Sequence, residues 1–155
     1  MRERGVSPNV ISFSAAISAC EKGGKWERAL SLLEEMRERG VTPNVISFSA
    51  VISACEKSGK WERALSLLEE MREHGVAPDV ISFSAAISAC EKGGKWERAL
   101  SLLEEMRQVG VAPNVISFNA AISACEKGGK WERALSLLAD MRKVCLLYTS
   151  PSPRD

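Results

Sequence analysis

The pattern of hydrophobic and polar residues repeats along this chain with a fixed period of 35 residues. The stretch Val10–Asn44, VISFSAAISACEKGGKWERALSLLEEMRERGVTPN, recurs at Val45–Asp79 and Val80–Asn114, and it begins again at Val115. A constant period of this length is typical of a solenoid, in which each unit is one supersecondary motif. The chain is therefore expected to consist of stacked repeats, at 10–44, 45–79, 80–114 and 115–143.

Two helices are predicted within each unit. In the first half, Ile11, Ala15, Ile17, Ala19 and Cys20 recur at helical spacing, with Phe13 on the flank. This pattern predicts a helix over about Val10–Lys22, which Gly23-Gly24 ends because two glycines favour a turn. A second helix is predicted over about Lys25–Arg39. Its apolar residues are Trp26, Ala29, Leu30, Leu32, Leu33 and Met36.

Such a hairpin cannot bury two apolar faces by itself, so neighbouring hairpins must stack. We therefore expect an all-α fold, an α-solenoid of 35-residue helix-turn-helix repeats. The turns within the hairpins are expected near Gly23, Ser58, Gly93 and Gly128.

Both ends of the sequence depart from whole repeats. Residues 1–9, MRERGVSPN, match Met36–Asn44 except at one position and indicate the end of a partial repeat. The fourth repeat, 115–143, is incomplete, and the tail at 144–155 abandons the pattern and contains Pro151 and Pro153. We expect the chain to be part of a longer array, the tail to be foreign or disordered, and the uncovered ends to favour self-association.

Composition excludes several classes of function. The chain has 21 basic and 20 acidic residues, so net charge does not by itself favour nucleic-acid binding. No run of about 20 apolar residues predicts a membrane span, and no targeting peptide is visible. The chain has one histidine, His74, and its glutamates repeat in register, so no catalytic group stands out and no zinc site or other cofactor is expected.

Four cysteines recur once per repeat, at Cys20, Cys55, Cys90 and Cys125. Equivalent positions in stacked helices lie about 8–10 Å apart, whereas a disulfide needs Cα atoms within about 7 Å. Buried, reduced thiols and a reducing compartment are therefore expected.

The repeat resembles the pentatricopeptide repeat family. The resemblance rests on the period, the apolar-Ser-Phe start, a mid-repeat lysine, the motif Ala-Leu-x-Leu-Leu-x-x-Met and the ending Gly-Val-x-Pro-Asn/Asp. It implies a right-handed superhelix that binds single-stranded RNA at one base per repeat, in a mitochondrion or chloroplast. It also implies an adaptor for RNA processing, stability or editing that works with other proteins and is not an enzyme.

In that family the fifth and last residues of each unit read the base. The corresponding pairs are Ser14 with Asn44, Ser49 with Asp79 and Ser84 with Asn114, while the fourth unit offers Asn119 alone. An acceptor-only carboxylate suits the donors of guanine, and a carboxamide suits adenine, so the expected core is 5′-A-G-A-pyrimidine. Helix capping is the alternative role for these residues.

Two further rows are assigned by the resemblance. The residues expected to clamp the bases are Ile11, Ile46, Ile81 and Ile116. The residues expected to contact phosphates are Lys22, Lys57, Lys92 and Lys127. Packing between repeats is the alternative for the isoleucines, and a favourable interaction with the helix dipole is the alternative for the lysines. Trp26, Trp61, Trp96 and Trp131 are expected to pack in the core. A protein-interaction scaffold is the rival function.

Overall fold

A computed structural model of the chain describes residues 8–148, with side chains described as far as residue 143. Within that range there are eight helices and no strand. The helices are α1 Val10–Lys22, α2 Trp26–Glu38, α3 Val45–Lys57, α4 Trp61–Glu73, α5 Val80–Lys92, α6 Trp96–Gln108, α7 Val115–Lys127 and α8 Trp131–Tyr148. The prediction of an all-α array of 35-residue hairpins is confirmed.

The two turns of each repeat share one geometry. In the first, the amide of Lys25 donates to the carbonyl of Cys20 at 2.8 Å, and Gly24 adopts φ +71°. In the second, the amide of Val41 donates to the carbonyl of Met36 at 2.8 Å, and Gly40 adopts φ +76°. Both are Schellman motifs, which need a residue that tolerates positive φ after the helix. These glycines fix where each helix stops.

The odd-numbered helices form an inner row in which α1, α3, α5 and α7 pack side by side. Each even-numbered helix packs on the inner helix before it, and α2, α4 and α6 also pack on the inner helix that follows. Among the described residues, the backbones of no two even-numbered helices come as close as those of the inner row, although ion pairs join their side chains. The array is therefore tighter along the inner row, which places that row on the concave side.

The core lies between the two rows and repeats with the chain. Its largest members are Phe48, Phe83, Phe118, Met36, Met71, Met106, Ile17, Ile52 and Ile87. The phenylalanine that the pattern placed on the flank is thus in the core, whereas Ile11 and Ala15 of the expected apolar set are exposed. Helical spacing groups residues by face but does not say which face meets the neighbouring helices, so the pattern alone could not place Phe13 in the core or Ile11 and Ala15 outside it.

The fourth repeat differs from expectation at its end. Helix α8 continues to Tyr148, past the end of the pattern at residue 143. The residue at the position of Gly40 is Cys145, so the glycine that ends the other outer helices is missing. Residues 144–148 of the tail are thus helical, while residues 149–155 lie outside the described residues, as do residues 1–7 of the partial repeat.

Candidate functional site

One face of the inner helices α1, α3 and α5 is open on the concave side, and α7 continues it with Ala120 buried. In α5 it comprises Ile81, Ala85, Ser88 and Lys92, at spacings of four, three and four residues, which places them in one line along the helix. All four are exposed or half-buried. The equivalent residues of α3 have the same exposure. We call the surface formed by these lines on α1, α3, α5 and α7 the inner groove.

The isoleucines lie at one edge of the inner groove and are open to solvent. Ile11, Ile46, Ile81 and Ile116 are 73%, 60%, 58% and 57% exposed. Packing between repeats, the alternative that the sequence left open, does not account for side chains this exposed. A row of open isoleucines suits contact with flat apolar groups.

The last residue of each unit caps the inner helix that follows. Asp79 Oδ1 accepts from the amide of Ser82 at 3.0 Å, and the Ser82 hydroxyl accepts from the amide of Asp79 at 2.7 Å. This reciprocal capping box recurs at Asn9, Asn44 and Asn114. The capping role considered at the sequence level is therefore real.

Capping uses only one of the two side-chain atoms. A backbone amide needs an acceptor, so Asn44 and Asn114 must turn Oδ1 to the helix. Among the described residues, no hydrogen bond occupies Nδ2 of Asn44 or Asn114, or Oδ2 of Asp79. The asparagines thus keep a free donor, and the aspartate keeps a free acceptor. Capping and base reading are compatible because they use different atoms.

The structure brings the fifth and last residues of a unit together in the second and third repeats. The Ser49 hydroxyl donates to Asp79 Oδ1 at 3.5 Å, and the Ser84 hydroxyl donates to Asn114 Oδ1 at 3.3 Å. Both hydrogen bonds are long. Ser14 is buried too, but its hydroxyl has no partner among the described residues. Because Ser49 and Ser84 are buried, they orient the cap residue more than they face solvent.

Asn119 differs from the serines at the same position. It is exposed, whereas Ser14, Ser49 and Ser84 are buried. Its side chain is larger and carries an amide, so it offers both a donor and an acceptor to solvent. The partner expected for it at the end of the fourth unit lies in the part of the chain that carries no described side chains.

The lysines of the inner groove are paired across repeats. Lys57 pairs with Glu21, and Lys127 pairs with Glu91, each glutamate belonging to the preceding inner helix. Lys92 pairs with Glu56 in the same way, at 2.5 Å. Lys22 has no ion-pair partner among the described residues. We call these three pairs the Glu–Lys ladder.

The glutamates of this ladder were missed at the sequence level. Each stands immediately before a lysine that was singled out, so Glu21 precedes Lys22 and Glu56 precedes Lys57. The sequence did contain a signal for these glutamates. A carboxylate in the last turn of a helix interacts unfavourably with the helix dipole, so a nearby cation is expected to compensate its charge. The open residues Ala85 and Ser88 were also missed, although their helical spacing from Ile81 could have found them.

The tryptophans lie at the junctions between repeats. Trp26, Trp61 and Trp96 are half-buried, and Trp131 is exposed. The ammonium group of a lysine in the next repeat lies over the ring of each half-buried member, as Lys95 does over Trp61 at 5.0 Å. A Cβ atom on Gly93 would lie 2.5 Å from Trp61 Cδ1, so the next turn packs closely on this ring. The prediction that the tryptophans pack in the core was thus only partly right.

The buried thiols of Cys55, Cys90 and Cys125 contribute no reactive group to the inner groove. Burial raises the pKa of Cys55 and of Cys90 to about 11, an effect that Arg63 and Arg98 only partly oppose. Burial also raises the pKa of Cys125. Protonated, enclosed thiols are poor nucleophiles and poor metal ligands. Among the described residues there is no group of three or more His, Cys, Asp or Glu residues suited to a metal.

No described helix combines the length and apolar character needed to cross a membrane.

The comparisons with known proteins agree on one family. A family model described as a pentatricopeptide repeat domain matches residues 1–58, 31–93 and 66–129, and a second model, described as a PPR repeat, matches residues 116–146. None of the curated protein sequences matches the chain.

Solved structures with the same repeats are similar to this one. The pentatricopeptide repeat protein PPR10 from maize is 33% identical, with a TM-score of 0.78 over 88% of this chain. PPR10 in complex with an 18-nt psaJ RNA element has a TM-score of 0.79 over 90% of this chain. In both cases the match spans 20% of the PPR10 chain. The PPR domain of Arabidopsis thaliana protein-only RNase P 1, in complex with tRNA, shares the fold at 20% identity, with a TM-score of 0.76 over 84% of this chain and 69% of that one.

Proposed function

Because this chain belongs to the pentatricopeptide repeat family, we propose that its inner groove binds single-stranded RNA at one base per repeat. The observation that supports this most is that the two polar side-chain atoms of Asn44, Asp79 and Asn114 have different roles. One side-chain atom of each caps a helix, and the other is left without a partner among the described residues. Unstacked RNA bases present the Watson–Crick edges that such atoms can read.

The hydrogen-bonding chemistry of the side-chain atoms not used for capping supports one base for each cap residue. Oδ2 of Asp79 is an acceptor and suits the N1 and N2 donors of guanine. Nδ2 of Asn44 and Asn114 is a donor and suits the N1 acceptor of adenine. With the chain parallel to RNA in the 5′ to 3′ direction and Asn119 favouring a pyrimidine, the core is 5′-A-G-A-pyrimidine.

The isoleucines supply contact that does not depend on base identity. Ile46 and Ile81 stand on neighbouring inner helices, so a base placed between them would be covered on both faces. Stacking of this kind favours any base, because every base has an apolar face. The clamps thus hold the strand while the cap residues select the base.

Within the cell, we propose the role of an adaptor that marks an RNA site for other proteins. The free groups of the inner groove are hydrogen-bonding and apolar atoms, which recognise a strand but do not transform it. By family relation we place this activity in a mitochondrion or chloroplast, in RNA processing, stability or editing.

Fluorescence anisotropy with short labelled RNAs tests this proposal. One RNA carries AGAC at its centre, a second carries the same bases in scrambled order, and a third is the first in duplex form. We expect micromolar or weaker affinity for the first, weaker binding of the second and none of the third. Ile81→Ala should weaken binding about 5- to 30-fold through lost apolar contact.

The matched control is Val109→Ala, which removes an equally open apolar side chain at the end of an outer helix. It should leave the affinity for RNA unchanged. If the wild-type chain binds none of the three RNAs, or all three equally, base-selective binding is wrong and the protein-scaffold alternative gains support.

A further inference from the structure

The Glu–Lys ladder changes what the lysines of the inner groove can do. Four lysines that each neutralise one phosphate would give a slope of log K against log salt of about −2.8. Three of them, Lys57, Lys92 and Lys127, already have a carboxylate partner in the preceding repeat. A phosphate must therefore share or displace a glutamate at each of these places.

The geometry indicates that a phosphate would compete with the glutamate for each lysine, instead of binding beside it without effect. The side chains of Glu21, Glu56 and Glu91 are each 16% exposed, so the carboxylates are sheltered between neighbouring helices. The lysines that they hold are about half exposed and lie on the open line of the inner groove. Each of these lysines therefore carries a negative charge beside an ammonium group that is open to the inner groove.

The ladder does more than join the repeats. The outer helices carry a second set of cross-repeat ion pairs, Arg37 with Glu70, Arg72 with Glu105, and Arg107 with Asp140. Those pairs link the repeats without facing the inner groove. Neutralising the concave face is the separate effect of the inner set.

We propose that Glu21, Glu56 and Glu91 restrain the attraction of this groove for RNA phosphate, so that base contacts decide which RNA is held. The inference rests on the proposed binding of single-stranded RNA. It adds a set of residues that lowers affinity for every sequence alike, because the phosphate backbone is the same in every sequence.

The test compares two variants that change the net charge by the same amount. The inner variant is Glu21→Gln, Glu56→Gln and Glu91→Gln, and the control is Glu70→Gln, Glu105→Gln and Asp140→Asn. The affinity of each full chain for the AGAC and scrambled RNAs is measured at several concentrations of KCl. Both variants remove three carboxylates, so a general effect of charge appears in both.

The inner variant should bind both RNAs up to about 100-fold more tightly at low salt, since an ion pair whose lysine is about half exposed is worth up to about fivefold. Its slope of log K against log salt should approach about −2.8, against about −0.7 for the wild type, in which Lys22 alone has no partner among the described residues. The ratio of the two affinities should not change. The control should keep the wild-type slope.

Failure of this inference can be separated from failure of the proposed function. If the wild type prefers AGAC but the inner variant shows the affinity and slope of the control, the ladder has no such role. If neither the wild type nor the inner variant binds RNA, the proposed function and this inference both fail. Should the triple variant not fold, judged by circular dichroism, Glu56→Gln against Glu105→Gln gives the same comparison, with an expected steepening of about 0.7.

Discussion

Helices α1 and α5 have the same 13-residue sequence and different surroundings. Helix α5 packs between α3 and α7, and it buries seven residues. Among the described residues α1 has an inner helix on one side only, and it buries three. Ala86 and Cys90 are enclosed in α5, while their counterparts Ala16 and Cys20 are exposed and half-buried in α1.

The comparison shows which residues are buried by their own hairpin and which are buried by a neighbouring repeat. Phe13 and Ile17 are buried by their own hairpin and the repeat that follows. The side of α5 that contains Ala86 and Cys90 is buried only because another repeat precedes it. The stability of such an array is therefore a sum of terms within repeats and terms between them.

The largest contrast is expected in the reactivity of the thiols. Cys90 is fully enclosed and its pKa is raised to about 11, so at pH 9 only about one molecule in 100 carries the thiolate, even before burial restricts access. Cys20 is half-buried in the same local sequence. Iodoacetamide at pH 9 should label Cys20 at least about 100-fold faster than Cys90, followed in the tryptic peptides 5–22 and 73–92.

The same pKa values set the response of stability to alkali. An unfolded thiol loses its proton near pH 8.5, whereas Cys55 and Cys90 keep theirs until about pH 11 in the folded chain. Between these values the folded state binds more protons than the unfolded state, so the free energy of unfolding falls as the pH rises. Equal labelling of both cysteines, or a thermal midpoint that does not fall between pH 9 and 11, would contradict the burial of Cys90.

A second contrast concerns space between repeats. Ala86→Leu inserts a large side chain where the wild-type residue is fully buried, and it should cost about 1–3 kcal/mol of unfolding free energy through overpacking. Ala16→Leu makes the same change at an exposed position in the same sequence. It should change stability by less than about 0.5 kcal/mol. Urea unfolding followed by circular dichroism measures both, and similar losses in the two variants would mean that α1 is covered as α5 is.

Local signals explain why much of this fold follows from the sequence. The glycines and asparagines at the ends of the helices determine the conformation of their own turn, so the boundaries predicted for α1 and α2 agree with the structure to within one residue. Glu21 could not be assigned in this way, because its partner Lys57 lies 36 residues away and across a repeat boundary. The burial of Ser49 likewise depends on packing between hairpins, which the spacing within one unit does not contain.

The same distinction between local sequence and folded structure applies to the candidate site. The isoleucines and the cap residues were predicted as site residues because the resemblance assigns them position by position. What the structure adds is that Oδ1 of Asp79 caps the helix, while Oδ2 has no hydrogen-bond partner among the described residues. That difference between two atoms of one carboxylate is a property of the folded turn.

The central claim is that the free atom of the cap residue chooses the base, and Asp79→Asn tests it most directly. The chain supplies its own control for folding, because Asn44 and Asn114 make the same capping box as Asp79 does. The substitution keeps the capping oxygen and exchanges the free acceptor for a donor. The stability and the salt dependence of binding should therefore stay close to those of the wild type.

The measurement is a competition between two short RNAs that differ only in the second base of the core, AGAC and AAAC, run side by side for both proteins. We predict that the wild type prefers guanine at that position and that Asp79→Asn prefers adenine. The expected change in relative affinity is about 5- to 150-fold, the scale of about 1–3 kcal/mol for one misread base. If both proteins bind the two RNAs with equal affinity, the cap residue does not read the base, and the account given for the inner groove is wrong.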